Sequence, residues 1–269
     1  MFERLKSFFS ATKEFYVIDR PQESKLFLKA RDVMGNHIQK MMNKNGGFKS
    51  GFAWLRKELT SPSFDDMNFS YKNKVFSLLI ELKNKDKNIL PEHRKIIFNK
   101  VCLENDLIPC VFPIDVQSLT PINKEWNLFH SLTNKSINPL EVASDEKTPM
   151  SKWEFNNFAI FQVMQFICKQ GLLIHSFCDA PDILPQIWFQ DKDEKPSWVI
   201  VKYALYPTRA QDITVENIED VAATIPNYNG YIARIAFMPM EEGNCYRQSG
   251  FYISFQGLEK VYQAKMITN

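Results

Sequence analysis

The chain has 269 residues, of which 45% are apolar and 24% charged, and its formal net charge is +2. That length holds one large domain or two ordinary ones, and the composition is that of a globular protein with a real core. The near-balanced charge gives no electrostatic case for nucleic acid, and no apolar run approaches the 18 or so residues of a membrane-spanning helix.

Two further features bound the setting. The five cysteines (Cys102, Cys110, Cys168, Cys178 and Cys245) are widely spaced, with no CxxC pair and no Cys/His ligand pattern. The N-terminal stretch MFERLKSFFSATKEF carries charges at positions 3, 4 and 6 and lacks the apolar run of a secretion signal. Both lead to the expectation of a cytoplasmic protein.

Residues 22–44 read as a helix, with Leu26, Val33, Ile38, Met41 and Met42 at helical spacing and Gly46-Gly47 as the stop. A short amphipathic segment, FAWLRKEL, follows at 52–59. MNFSY (67–71) and KVFSLLIEL (74–82) read as strands joined by a tight polar turn. A helix at about 91–105 should bury Ile96, Ile97, Val101 and Cys102. LIPCVFPIDV (107–116) is strand-like, and its two prolines suggest an edge or a bulge. WNLFH (126–130) reads as an isolated strand or docking segment, and VASDEKTP (142–149) as a linker.

Ser151-Lys152-Trp153-Glu154 is the clearest helix start, a capping box leading a helix to about Lys169 with Gly171 beyond it. Strands follow at 172–178, 186–191 and 197–205, then a helix at 214–223, strands at 231–240 and 251–255, and a short final helix, GLEKVYQA. The expected class is mixed α/β (α+β mixed), with two α/β units at 1–145 and 146–269. The second runs helix-strand-strand-strand-helix-strand-strand around a mixed sheet. Residues 66–116 and 185–240 share the order strand, turn, strand, helix, strand, so an internal duplication is one reading of the chain.

Over residues 151–240 the order helix, three strands, helix, strand resembles the core of the PD-(D/E)xK nuclease-like family. The resemblance implies an Asp, often after Pro, opening the second strand, and a Glu or Asp two residues before a Lys on the third. The carboxylates would hold Mg²⁺ and the Lys would help to position and activate water. Here the C-terminal unit has Pro185-Gln186 at the first position and Ile200-Val201-Lys202 at the second. Only the lysine remains, and Gln and Ile cannot replace anionic oxygen ligands. Pro181-Asp182 lies four residues earlier and lacks a partner. The resemblance therefore implies a degenerate, catalytically inactive unit.

In the N-terminal unit Asp65-Asp66 precede one strand and Glu81-x-Lys83 ends the next, with Glu81 and Lys83 on one face by alternation. A Mg²⁺ site from Asp66 and Glu81, assisted by Lys83, is one reading. The other is that Glu81 and Lys83 mark where the strand reaches water. The spacing Asp/Glu-x-Lys occurs four times (Glu23–Lys25, Glu81–Lys83, Asp145–Lys147 and Asp193–Lys195), about what composition alone yields.

No GxSxG, P-loop or GxGxxG is present, and the four histidines are scattered. Aromatic residues crowd the last quarter, where Tyr228, Tyr231, Tyr246, Arg247 and Tyr252 are of the types that anchor protein interfaces. The expected function is a non-catalytic protein that binds a protein partner, with no cofactor. Its most specific form is an immunity or inhibitor protein that neutralises a toxin. The alternative is a Mg²⁺-dependent nuclease using Asp66, Glu81 and Lys83.

Overall fold

The computed structural model describes residues 25–56, 67–84, 87–88, 92–178, 183–192, 194–216, 218–225 and 228–261. Helix α1 (Lys25–Lys44) buries Ala30, Met34, Ile38 and Met42, an i, i+4 stripe that lies on the first sheet. The expected face was shifted: Val33 and Met41 flank this stripe, half-buried. Strand β1 (Phe52–Arg56) replaces the first part of the amphipathic 52–59 segment. Pairing with β2 (Met67–Tyr71) decides this, because it stacks Phe52 on Tyr71 with ring centroids 3.9 Å apart. Strand β3 (Lys74–Asn84) returns antiparallel through a turn at Lys72-Asn73, with Lys72 left-handed at φ 50.

Helix α2 (Glu92–Glu104) then crosses over, and β5 (Ile108–Asp115) runs parallel to β3. The short strands β4 (Lys87–Asn88), β6 (Thr120–Pro121), β7 (Leu128–His130) and β8 (Ser136–Ile137) complete the sheet. Its order is β1-β2-β3-β5-β7-β8, with β4 on β3 and β6 on β5. Two expectations are corrected here. α2 buries Phe98 and Cys102 and leaves Ile96 and Val101 exposed, because it meets the sheet along a narrow line. β5 is an interior strand, not an edge. Its prolines lack only the donor, and their carbonyls are used: Pro109 accepts from the Ser131 amide, and Pro113 from the Asn127 side chain and the Ile122 amide.

The 142–149 segment is not a free linker. After α3 (Pro139–Val142), the Ser144 amide donates to Asn73 Oδ1 at 2.8 Å, and Lys72 pairs with Asp145. The strap then runs beside residues 245–247: the Met150 amide donates to the Cys245 carbonyl, and the Arg247 amide to the Thr148 carbonyl, both at 3.0 Å. α4 (Lys152–Lys169) begins on the expected capping box, in which the Glu154 amide donates to Ser151 Oγ and the Ser151 amide to Glu154 Oε2. Gly171, at φ +75, ends it.

The second sheet has the order β13-β12-β11-β10-β9, built from β9 (Leu173–Phe177), β10 (Ile187–Gln190), β11 (Pro196–Leu205), β12 (Asn229–Pro239) and β13 (Phe251–Val261). β11 and β12 are parallel and joined through α5 (Ile218–Thr224), while the other pairs are antiparallel. Residues 257–261, the described part of the expected final helix, are strand instead. β13 continues through Gly257, at φ +99, to Val261, because Leu258–Val261 pair with Gly230–Ala233 of β12.

The two units therefore follow one path: a helix, a three-stranded antiparallel meander, a crossover helix, a parallel fourth strand and an antiparallel fifth. α1 and α4 cover one face of their sheets, and α2 and α5 the other. The chain is a mixed α/β protein.

Gly230 shows how tightly the second unit closes. It faces Trp198 across the parallel pair, and a Cβ there would stand 2.3 Å from the fully buried indole ring. Gly230→Ala should destabilise the protein by about 1–3 kcal/mol through overpacking, read as a lower urea midpoint. A midpoint equal to wild type would show that the ring can move aside.

Candidate functional site

β3 leaves its core at Glu81. Even-numbered residues 76–82 face α1, and Val75 and Leu79 face α2. Glu81 and Lys83 continue the α2 face, as alternation requires. Their side chains pair at 3.3 Å, with Glu81 only 13% exposed and Lys83 half-exposed. Ser77 on this face and its cross-strand partner Asn68 are buried. A polar strip thus runs up an otherwise apolar face.

Asp115, on β5 opposite Lys83, shares the face. Its Oδ1 is occupied by the amides of Gln117 and Ser118 and by the Ser118 hydroxyl at 2.8–3.1 Å. Asp66 lies outside the described residues. Among the described residues no three His, Cys, Asp or Glu side chains come together. The described set thus supplies one available carboxylate, already paired with a lysine, and does not fit a Mg²⁺ ion, which takes several oxygen ligands in an octahedron.

The equivalent place in the second unit is closed differently. Gln186, where the family pattern has Asp, is buried. Its Oε1 accepts from the Val201 amide at 2.9 Å, and its Nε2 donates to the Val201 carbonyl at 3.3 Å. The side chain extends the ladder between β10 and β11 and leaves no lone oxygen for an ion. Ile200 is fully buried under α5. Lys202 follows it on that face, and its partner across the parallel pair is Arg234.

The five interface candidates separate. Tyr228 packs edge-on against Trp188, and Tyr231 lies tilted against Phe189, with ring centroids 5.6 Å apart in both pairs. Tyr246 is half-buried, with the Lys147 ammonium 5.5 Å from its ring centre. Tyr252 alone is exposed, at 54%.

Arg247 corrects the expectation outright. Its side chain is 1% exposed, and every nitrogen is used within the molecule. Nε donates to both Glu154 oxygens at 3.0–3.1 Å, and Nη2 to Glu154 Oε2 at 2.9 Å. Nη1 donates to Asp106 Oδ2 and the Asn73 carbonyl, and Nη2 to the Asp106 carbonyl, at 2.9–3.2 Å. Asn73 and Asp106 belong to the first unit, so this guanidinium cannot reach a partner. Nothing local in the sequence marks the pairing, since Glu154 stands 93 residues away.

Beside Tyr252 the sequence reading missed a set of exposed apolar side chains. Tyr206 is 64% exposed and Met240 57%, while Met238 stands directly across from Tyr252. The alternation in YIARIAFMPM carries the signal. It sends Ile235 and Phe237 into the core under α4, and Arg234, Ala236 and Met238 to the other face.

Two of the buried thiols are suppressed as nucleophiles. Cys110 is fully buried, and its pKa is pushed well above the usual thiol value by loss of solvation. Burial also raises Cys245. Thiolate, the reactive form, is suppressed at both. His175 is exposed on β9, and Cys178 lies beyond the end of that strand.

Residues 153–261 match the model of a domain of unknown function, DUF8840. No curated protein and no solved structure matches the chain. The matched stretch covers α4 to β13 and includes Trp153, Glu154 and Arg247, whose partners Asn73 and Asp106 lie outside it.

Arg247→Met leaves the Glu154 carboxylate buried without its cation, and should cost about 3–5 kcal/mol in chemical denaturation. Adding Glu154→Gln should recover part of that loss. Additive losses in the double variant would contradict a direct pair.

Proposed function

We propose that this chain is a non-catalytic protein-binding protein, and that an immunity or inhibitor protein directed at a toxin is its most specific form. The exposed apolar group of Tyr206, Met238, Met240 and Tyr252 carries the reading. These residues gather at one end of the second sheet, where β11 passes its last residues and β12 and β13 pair. Aromatic and methionine side chains on a monomer's surface are expensive to hydrate and mark sites of association.

The second unit supports the same reading from the opposite direction. Its resemblance to the PD-(D/E)xK core comes with Gln186 stitched to Val201 and Ile200 in the acidic position. A scaffold of that kind, with no metal-ligand cluster among its described residues, is free to serve recognition. The partner is a protein, and the compartment proposed is the cytoplasm.

A second reading, a nuclease in the first unit, rests on the polar strip of Asn68, Ser77, Glu81 and Lys83. It requires Asp66 as a further ligand. In that case Glu81→Ala abolishes cleavage that depends on Mg²⁺ or Mn²⁺. A wild-type chain that cleaves neither DNA nor RNA with either ion removes this reading.

The binding reading is tested by affinity capture from the native source with the full chain. Wild type should retain a protein in stoichiometric amount, and Tyr252→Asp and Met240→Asp should lose it while melting at the wild-type temperature. Retention by both variants contradicts a binding site at this surface.

A further inference from the structure

The geometry points to the chemistry of the partner: a protein segment that places one acidic side chain on Lys202 and Arg234 and apolar side chains on Met238 and Tyr252. The inference rests on the protein-binding reading and adds a charge requirement to it.

Lys202 and Arg234 are register partners on adjacent parallel strands, where side chains stand side by side. Like charges in that position repel. The matching pair in the first unit, Lys83 and Asp115, has opposite charges. Arg234 has internal partners: Nε donates to the Ile213 carbonyl at 2.9 Å, and the guanidinium pairs with Glu259. Lys202 has no ion-pair partner among the described residues and is half-exposed. With Glu259 counted, the group of two cations carries one uncompensated positive charge.

The pair shares its face with the apolar residues. Trp198, Ile200 and Ile232 lie under α5, so alternation places Lys202, Arg234 and Met238 on the same side of the sheet, with Tyr252 paired to Met238. The turn Ala210–Asp212 packs on β12 and β13 along this side. From Arg234 to Met238 is four strand residues, about 13 Å; Ala236 between them is buried, so a partner touching both ends passes over the turn.

Charge also selects the class of partner. Asp212, Glu216, Glu219 and Asp220 are exposed on the segment leading into and through the start of α5. They weigh against a polyanionic nucleic-acid backbone, which carries far more negative charge than one carboxylate. Steering of this kind sets specificity more than raw affinity.

The test is selection of random peptides displayed on phage against the full chain, followed by titration of the synthetic winners. Peptides that combine Asp or Glu with aliphatic or aromatic residues are expected. Tyr252→Asp should abolish their binding, and Lys202→Glu should weaken it at least tenfold. Lys202→Gln, which removes the charge without reversing it, should give a smaller loss and serves as the readout if Lys202→Glu does not fold. Winners lost on Tyr252→Asp but indifferent to both Lys202 variants overturn the charge requirement and leave the apolar site standing. The absence of any winner sensitive to Tyr252→Asp overturns the binding reading itself. Binding of a single-stranded oligonucleotide that is lost on Lys202→Glu, without acidic winners, assigns the pair to nucleic acid and overturns the proposal.

Discussion

One buried guanidinium fixes how the halves of this protein stand. Arg247 belongs to the loop before β13, yet its bonds end on the first turn of α4 and on two turns of the first unit. A cation so fully removed from water survives only if each N–H finds an acceptor and a carboxylate balances the charge. Glu154 supplies the balance, and it can do so because the capping box already holds it in place. Asp106, 69% exposed, adds a second carboxylate from the solvent side. The residue that starts a helix is therefore also the residue that joins the units. Trp153, one position earlier, packs with Val75, Leu79 and Phe98 of the first core, and Phe155, one position later, packs in the second.

Within that frame the two units repeat one topology and differ at the ends of their parallel strands. The first has Glu81, Lys83 and Asp115 there, and the second has Ile200, Lys202 and Arg234. The same backbone thus presents a net acidic group in one unit and a net basic group in the other. Beyond the basic group and the turn Ala210–Asp212, β12 continues to Met238 and the edge strand β13 presents Tyr252, both exposed. A protein partner that offers a carboxylate and apolar side chains matches this surface.

The strands were legible because each is long, apolar and bounded by turn residues, as in KVFSLLIEL and SWVIVKYAL. The α4 start was legible because its capping box is local. The α2 face was misread because Ile96, Val101 and Leu103 are apolar yet exposed: Phe98 and Cys102 fill the narrow contact with the sheet. The GLEKVYQA helix failed because pairing with β12 outweighs local propensity. Arg247 looked like an interface anchor because Arg beside Tyr usually is one. Its true partners, Asn73, Asp106 and Glu154, are 93 or more residues away in sequence, and no local pattern encodes a buried pair at that range.

If the Arg247 group makes the two units one body, they must open together. Native-state hydrogen exchange under increasing denaturant tests this directly on the unaltered protein. The slowest amides of β3 and of β11 should exchange with the same opening free energy and the same denaturant dependence. Amides of β3 that open at a distinctly lower free energy than those of β11, or the reverse, would contradict the account.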